Sequence, residues 1–173
     1  MCGRPVIFNE IREHADAVLC TWWLGSEAGN AICNVLWGEY NPSAKLPMTF
    51  PAHVGQIPIY YQNKSTGRPT ALQQTYKASY IDASTEPAYP FGYGLSYTDF
   101  GYSDLKLLPG KDAGVHTEVS VKVTNTGKCA GEEVVQLYVQ DKVASVTRPI
   151  KELKGFRKIH LNAVSYTHLR AHE

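Results

Sequence analysis

The sequence predicts two kinds of structure in succession, an α/β segment followed by an incomplete all-β sandwich. An apolar run of strand length at residues 17–23 is followed by a glycine turn and then by a helical apolar stripe. From residue 100 onward, apolar and polar residues alternate in short runs about a dozen residues apart, which is typical of a sandwich. Only about 64 residues remain for these strands, whereas such a sandwich takes roughly 100.

Residues 1–61 carry the signals of part of an α/β domain. A short strand is predicted at residues 6–8, and Asn9 is expected to cap a helical turn that runs through His14. Residues 17–23 are apolar on both faces, as in a strand buried within a parallel sheet. Further strands are expected at residues 45–50 and 56–61.

A helix is predicted directly after the buried strand. Ser26 offers an N-cap hydroxyl, and Glu27 places a negative charge in the first turn. An apolar stripe runs from Ala28 to Leu36, and Gly38 is expected to end the helix. Strand, glycine turn and helix together make half of a βαβ unit.

The remaining chain divides into three predicted parts. Residues 62–98 are polar, aromatic and contain glycine and proline, so we expect a long connection. Residues 99–163 form the incomplete sandwich, in which two runs alternate most clearly: Val119, Val121 and Val123, then Val135, Leu137 and Val139. Residues 164–173 show neither alternation nor a continuing turn, and resemble a translated adapter string. We therefore expect a non-native tail there.

Composition and cysteine spacing exclude several function classes. The net charge of +1 gives no reason to expect nucleic acid or a membrane surface as a partner. No apolar stretch approaches the ~20 residues of a membrane-spanning helix, and no signal peptide opens the sequence. The four cysteines match no zinc pattern, so we predict no metal and no cofactor. Cys20 and Cys33 are expected to be buried free thiols rather than part of a disulfide framework.

The acidic residues do not nominate a catalytic pair. Hydrolysis of a glycosidic bond needs two carboxyl groups flanking that bond. The carboxylates fall on predicted helix surfaces or loops, where we expect them to be solvated: Glu10, Glu13, Glu27, Glu39, Asp82, Glu86 and Asp99. We therefore predict no catalytic residue in this chain.

The best lead to a ligand is Trp22, in an aromatic pair with Trp23 at the end of the buried strand. Ligands of open α/β sheets gather at the carboxyl ends of strands, and an aromatic ring there can face the CH side of a pyranose. Core packing explains the same residue equally well. The following helix start, residues 25–30, lacks the spacing of a dinucleotide loop. It could meet a sugar hydroxyl, although we favour a plain capped helix.

An ordered series of motifs supports a family resemblance over residues 3–163. The α/β part contributes GRPV at 3–6, WWLGSEAGNAI at 22–32 and VLWGEYNPSAKLP at 35–47. PFGYGLSYTDF at 90–100 leads into the sandwich, where VTNTG at 123–127, EVVQLYV at 133–139, RP at 148–149 and ELKGF at 152–156 follow. In this order the motifs resemble the second and third domains of family 3 glycoside hydrolases, most of all bacterial periplasmic β-glucosidases, with β-xylosidases as near relatives.

The resemblance implies both a fold and an activity. The fold would be the C-terminal part of an α/β sandwich domain followed by an incomplete fibronectin type III-like domain. The parent protein would be a periplasmic or secreted, retaining, exo-acting β-glucosidase that releases glucose from β-linked oligosaccharides or glycosides without a cofactor. Its partner here would be a missing N-terminal TIM barrel.

The resemblance places the catalytic carboxylates outside this chain. The family's Asp nucleophile lies on the barrel, before Met1, and its acid/base Glu lies upstream of the G-R-P strand. Trp22 and Glu27 match family positions, and we take Glu27 as structural. Ala44 replaces a usual glycine, and the sandwich is expected to stop after Ala163. We thus expect an inactive chain. The alternatives are a carbohydrate-binding module, a structural sandwich that braces the catalytic domains, or a β-xylosidase parent.

Overall fold

The computed structural model describes residues 2–65, 67–68, 78–109 and 117–172. Both helices precede the five strands in the described chain. The elements are the helices α1 (Asn9–His14) and α2 (Ala28–Leu36), a 3-10 turn at Val54–Gln56, and the strands β1 (Phe100–Pro109), β2 (Thr117–Asn125), β3 (Gly131–Val139), β4 (Glu152–Leu161) and β5 (Tyr166–His172). Residues 66 and 69–77 of the predicted connection lie outside the described residues.

The chain forms two compact units whose segments alternate along the sequence. The first, which we call the aromatic unit, comprises Met1–Cys33, Lys45–Tyr93 and Val139–Glu152. The second, the sandwich unit, comprises Asn34–Ala44, Gly94–Tyr138 and Leu153–Glu173. The predicted boundaries after residues 61, 98 and 163 stay predictions.

Two extended segments hold the aromatic unit together. The Phe50 N–H donates to the Tyr89 carbonyl at 2.8 Å, and the Leu46 N–H donates to the Tyr93 carbonyl at 2.8 Å. Buried Gln56 adds side-chain bonds, since its Nε2 donates to the carbonyls of Ser84 (3.2 Å) and Glu86 (3.0 Å). The segment predicted as a strand at 45–50 thus finds its partner in the P-F-G-Y-G motif.

The other strands expected in this unit are not formed by the described residues. Residues 6–8 and 17–23 carry no strand assignment, residues 56–61 none beyond a turn, and residues 45–50 only a bridge at Phe50. A strand of a parallel sheet exists only when neighbours on either side satisfy its backbone groups. No other described segment supplies such a ladder to residues 17–23, so their apolar pattern alone is insufficient.

Both helices exist, although their beginnings differ from the prediction. Helix α1 begins at Asn9 itself, whose side chain donates to the Ala52 carbonyl at 2.7 Å instead of capping the helix. Helix α2 begins at Ala28 rather than after Ser26, and the Glu27 carboxylate accepts a hydrogen bond from Asn30 at 2.5 Å. The predicted stop is confirmed, because Gly38 follows the helix in the left-handed region at φ 79°.

The sandwich unit contains two sheets, one with the strand order β1-β2-β5 and one that pairs β3 with β4. In the first sheet all pairs are antiparallel, with Tyr102 opposite Val123 and Val123 opposite Thr167. Val123, Leu161 and Leu169 form the buried core, which Phe100, Val121, Val135 and Ile159 cover in part. The predicted alternation of β2 and β3 is confirmed as strand structure.

The fully buried side chain of Asn125 connects four parts of the sandwich unit. Its Oδ1 accepts hydrogen bonds from the Thr98 hydroxyl at 2.6 Å and the Gly127 N–H at 3.0 Å. Its Nδ2 donates to the carbonyls of Cys129 at 2.9 Å and Leu161 at 3.2 Å. The predicted turn after β2 is therefore also a buried anchor point.

The expectation that residues 164–173 add no strand is wrong. Tyr166–His172 forms β5, which pairs with β2 along its whole length. The period-two pattern is present, because Leu169 is buried at 8% exposure while Tyr166, His168 and Arg170 are exposed. Arg170 also forms an ion pair with Glu118 on β2, at 3.3 Å. The foreign origin of these residues stays a prediction.

The far end of the first sheet is uncovered, which agrees with an incomplete sandwich. Leu107 lies opposite Val119, and Val119 shares the inward face with Val121 and Val123 by strand alternation. Leu107 is nevertheless 70% exposed. No described strand packs over that end of the inward face.

Replacing Val164 with glycine is expected to stabilise the chain. Val164, in the turn between β4 and β5, has φ 56° and a side chain 81% exposed, so it bears left-handed backbone strain without packing in return. Relief of about 1–2 kcal/mol exceeds the ~0.5–1 kcal/mol entropic cost of glycine. We therefore expect a higher urea midpoint for Val164→Gly.

Val143→Gly is the matched control for this measurement. Val143 is 93% exposed, but its backbone is not in the left-handed region. Its replacement should lower the urea midpoint or leave it unchanged. Equal shifts for the two variants would contradict strain at Val164.

Candidate functional site

Trp22, the residue predicted to contact a ligand, has a strained backbone. Its φ is 52°, in the left-handed region that a tryptophan rarely adopts. Such strain costs about 1–3 kcal/mol and concentrates at ligand-binding positions. The buried hydroxyl of the preceding Thr21 has no hydrogen-bond partner among the described residues. The chain at 21–22 is thus held in a conformation that its own contacts do not fully satisfy.

The Trp22 ring belongs to an aromatic cluster, which includes Phe8, Phe50, Tyr89 and Tyr93. Its centroid lies 5.7 Å from that of Phe50, which is 3% exposed. Phe8 packs edge-on against Phe50 at 6.2 Å and stacks on Tyr89 at 6.0 Å. The Trp22 ring packs on the cluster, and the residue as a whole is half-buried. The two interpretations of Trp22, packing and ligand contact, are therefore compatible.

Trp23 occupies a different environment. It is 77% exposed, and its indole lies against the backbone of Gly3, where a Cβ would come 1.6 Å from Nε1. Any side chain at position 3 would therefore displace the exposed Trp23 indole from this contact. The two neighbouring tryptophans thus differ in environment: Trp22 packs in the aromatic cluster, and Trp23 lies on the surface.

None of the seven candidate carboxylates lies in a water-excluding site. All are exposed: Glu10, Glu13, Glu27, Glu39, Asp82, Glu86 and Asp99. A glycosidase proton donor needs an environment that excludes water, because burial raises its pKa into the working range. None of these seven exposed carboxylates has such an environment, and the absence of a catalytic residue from this chain stays a prediction.

Two sequence motifs meet inside the sandwich unit, a contact that the sequence analysis missed. Asn41 of the N-P-S motif donates through Nδ2 to the Ala130 carbonyl at 3.0 Å. Its Oδ1 accepts from the Ser96 hydroxyl and the Tyr97 N–H, both at 2.8 Å. Tyr97 in turn donates to the Val35 carbonyl at the end of α2, at 2.6 Å. Both turn motifs are rich in side-chain hydrogen-bond donors and acceptors. This was the sequence signal from which their contact could have been predicted.

The carboxylate of Glu132 connects the segment around the N-P-S motif to Lys158. Its carboxylate pairs with Lys158 at 2.6 Å and accepts hydrogen bonds from Tyr40 at 3.1 Å and Ser43 at 3.2 Å. The hydrogen bond from Lys158 is the main cause that lowers the pKa of Glu132 below its usual range, and Tyr40 and Ser43 add to it. The ionised form of Glu132 is therefore the one that holds this segment.

Other kinds of site find little support in the described part of the chain. No group of three or more His, Cys, Asp or Glu side chains there could hold a metal ion. No helix among these residues is long and apolar enough to cross a membrane. Cys33, expected to be buried, is exposed, because its position on α2 faces solvent, whereas Cys20 is half-buried.

An open depression of about 580 Å³ lies in the aromatic unit between Ser65 and residues 140–150. The Ile150 N–H donates to the Asn63 carbonyl at 2.9 Å beneath it. Its ionisable groups are Asp141, Lys142 and Arg148.

Two stretches of the chain match known domain families. Residues 1–97 match the glycosyl hydrolase family 3 C-terminal domain, and residues 133–170 match the fibronectin type III-like domain. The first match covers more than half of the chain. The second reaches into β5.

Individual relatives agree with these matches. The chain is 51% identical over 164 residues to a periplasmic beta-glucosidase of Salmonella typhimurium, covering 93% of this chain and 21% of that protein. It is 47% identical over 160 residues to a beta-xylosidase of Formosa agariphila, covering 92% of this chain and 21% of that protein. The crystal structure of beta-glucosidase from Listeria innocua in complex with isofagomine superimposes with a TM-score of 0.93 at 41% identity, over 99% of this chain and 24% of that one.

The matches define two successive domains, a glycosyl hydrolase family 3 C-terminal domain and a fibronectin type III-like domain. The chain belongs to glycoside hydrolase family 3. It spans about a fifth of the length of the curated relatives it matches.

Replacing Glu132 with glutamine is expected to destabilise the chain at neutral pH but not in acid. The lowered pKa means that ionised Glu132 stabilises the folded state above the unfolded value, 4.5, and that this stabilisation is lost as the pH falls through the folded pKa. Urea midpoints of the native chain and Glu132→Gln should differ at pH 7 and converge as the pH falls from 4.5 through the lowered folded pKa of Glu132.

Glu13→Gln serves as the control, since Glu13 is an exposed carboxylate on α1. It should track the native chain at both pH values. A gap between the native chain and Glu132→Gln that is the same at pH 7 and in acid would contradict the charge-based role.

Proposed function

We propose that this chain is the C-terminal portion of a retaining, exo-acting β-glucosidase that removes terminal β-linked glucose from oligosaccharides or glycosides. The observation that carries the proposal is the 51% identity to a beta-glucosidase over 93% of this chain. That relative is named a periplasmic beta-glucosidase, so we also propose a periplasmic or secreted location for the parent protein.

In this proposal the chain supplies support and one edge of the sugar site, while the chemistry lies elsewhere. A retaining mechanism needs two carboxyl groups about 5 Å apart, one nucleophile and one acid/base. The exposed carboxylates described above do not fit either role. The nucleophile and the acid/base would belong to an N-terminal barrel and to the preceding part of the α/β domain. We therefore propose that the chain alone is inactive.

Trp22 is the residue we propose for contact with the sugar. Its half-buried ring is fixed on one side by Phe50, so an accessible aromatic face costs little further ordering when a pyranose binds. The strained backbone of Trp22 and the buried Thr21 hydroxyl, which has no partner among the described residues, support this role. We propose that groups outside this chain complete the site around these two residues.

A carbohydrate-binding module is the alternative from a different class, and the sheet geometry weighs against it. Such a module needs a row of rings on one sheet face. Tyr102 shares the face of Val123, whereas Tyr166 lies opposite Thr124, on the other face. The Lys122 ammonium lies over the Tyr166 ring, 4.2 Å from the ring centroid. The two exposed rings of this sheet therefore cannot contact one sugar chain together. A purely bracing sandwich is compatible with the main proposal.

A β-xylosidase parent remains the second candidate within the same class. The 47% identity to a beta-xylosidase of Formosa agariphila supports it. The pocket residues that distinguish glucose from xylose would lie mainly in the barrel. Aryl β-glucoside and aryl β-xyloside should therefore be compared in any active assembly.

The purified chain is expected not to hydrolyse an aryl β-glucoside above a blank. The physical reason is the lack of a carboxyl pair around any bound glycosidic bond. Release of the aryl group would be followed by absorbance, with heat-denatured chain as the control. Turnover that scales with the concentration of native chain would contradict the proposal.

A titration of the same chain with cellobiose tests the binding-module alternative. Tryptophan fluorescence should show no saturable quenching, because the barrel that would enclose the sugar is absent from this chain. Saturable quenching that maltose does not reproduce would favour the binding module instead.

A chimera tests the role of Trp22. Replacing the matching 164-residue segment of the Salmonella beta-glucosidase with this chain should preserve hydrolysis, given the 51% identity. Trp22→Phe in that chimera should raise KM several-fold, since one contact of about 1 kcal/mol changes binding about fivefold, while the melting temperature changes little.

Trp23→Phe is the matched control in the chimera, because Trp23 lies on the surface against Gly3. Its KM should equal that of the unmodified chimera. If Trp22→Phe lowered the melting temperature without changing KM, Trp22 would be a packing residue only.

A further inference from the structure

Strand β1 forms one edge of the three-stranded sheet and carries several apolar side chains. On one side it pairs with β2, and no described strand pairs with its other side. Four of its large apolar side chains are exposed: Tyr102, Leu105, Leu107 and Leu108. A long, apolar edge strand presents a row of unpaired N–H and C=O groups, which is a template for pairing with another chain.

A β-bulge interrupts this edge in the middle of the strand. The register with β2 shifts between Ser103 and Lys106. Two residues of β1, Asp104 and Leu105, therefore lie opposite a single residue of β2, Val121. Asp104 has φ 54°, in the left-handed region, which aspartate tolerates better than most residues. A first residue in this region is one of the known bulge geometries.

The sheet does not need the extra residue for its packing. Tyr102 and Leu107 lie opposite valines that share one face of β2. Removing Asp104 would reduce their separation from five residues to four, an even number that keeps both on that face of a regular strand. Leu105, which is exposed in the bulge, would then lie opposite Val121 on the same inward face. A regular β1 would therefore turn more apolar surface inward than the bulged strand does.

We propose that the bulge at Asp104 and Leu105 keeps the edge of β1 from pairing with a second copy of this chain. Without the bulge, two copies could pair antiparallel along this edge, since β1 is 10 residues long and apolar. A bulge bends its strand and increases the local twist, so the edge groups on either side of it no longer lie in one line. The charge of Lys106, directly after the bulge, also disfavours edge pairing.

The test compares the full chain with a variant that lacks Asp104, by sedimentation velocity over a range of concentrations. One backbone hydrogen bond gained between two edges tightens association about fivefold, so several should tighten self-association of the variant by roughly 100-fold relative to the native chain. The urea midpoint of the dilute variant should not fall, because Leu105 moves to the inward face. Equal self-association of the native chain and the variant would overturn the proposal.

Asp104→Gly is the matched control. It removes the charge but keeps the extra residue, and glycine adopts a positive φ without strain. This variant should associate no more tightly than the native chain. If Asp104→Gly associated as tightly as the variant that lacks the residue, the carboxylate rather than the bulge would protect the edge, and the proposal would be wrong.

Hydrogen exchange of the native chain decides the question if the variant that lacks Asp104 does not fold. The amides of residues 100–109 should exchange at rates that do not depend on the concentration of the chain. Protection of these amides that grows with concentration would show that the bulged edge already pairs between copies, which contradicts the proposal. None of these measurements uses hydrolysis, so their outcome is separate from that of the hydrolase assays.

Discussion

The sandwich unit depends on one buried amide. Asn125 uses both acceptor positions of its oxygen and both N–H groups of its nitrogen, and it is fully buried. Its partners belong to the chain entering β1, the turn after β2, and the end of β4. A buried amide with unmet partners would cost about 1–3 kcal/mol for each group left unpaired. The positions of these strands relative to one another are therefore fixed by hydrogen bonding as well as by the small apolar core.

That constraint matters because the core itself is small. Three apolar residues are buried in it, and the inward face of the first sheet is open near Leu107. Directional bonds at Asn125, Asn41 and Glu132 compensate, since each joins segments distant in sequence. The arrangement of the strands therefore rests on these directional bonds as much as on apolar packing.

The sequence predicts the all-β half well and the α/β half less well, for a physical reason. Alternation along β2 and the turn at Asn125 depend on local pattern, and the structure confirms them. The strand at 17–23 depends on neighbours that no described segment supplies, so pattern alone overpredicts it. The opposite error occurred at β5, where His168 and Arg170 concealed the alternation around Leu169. Trp22 could be nominated from its position, but its backbone strain and its packing on Phe50 require coordinates.

The alternation of the two units along the chain has a consequence for synthesis on the ribosome. The aromatic unit needs residues up to Glu152, and the core of the sandwich unit needs Leu169. Neither unit can therefore complete itself while the other is still unmade, and each must wait with apolar surface exposed until nearly all of this region has emerged. A protein built in this way exposes apolar surface to chaperones late in translation, and no single cut in the chain separates its two units.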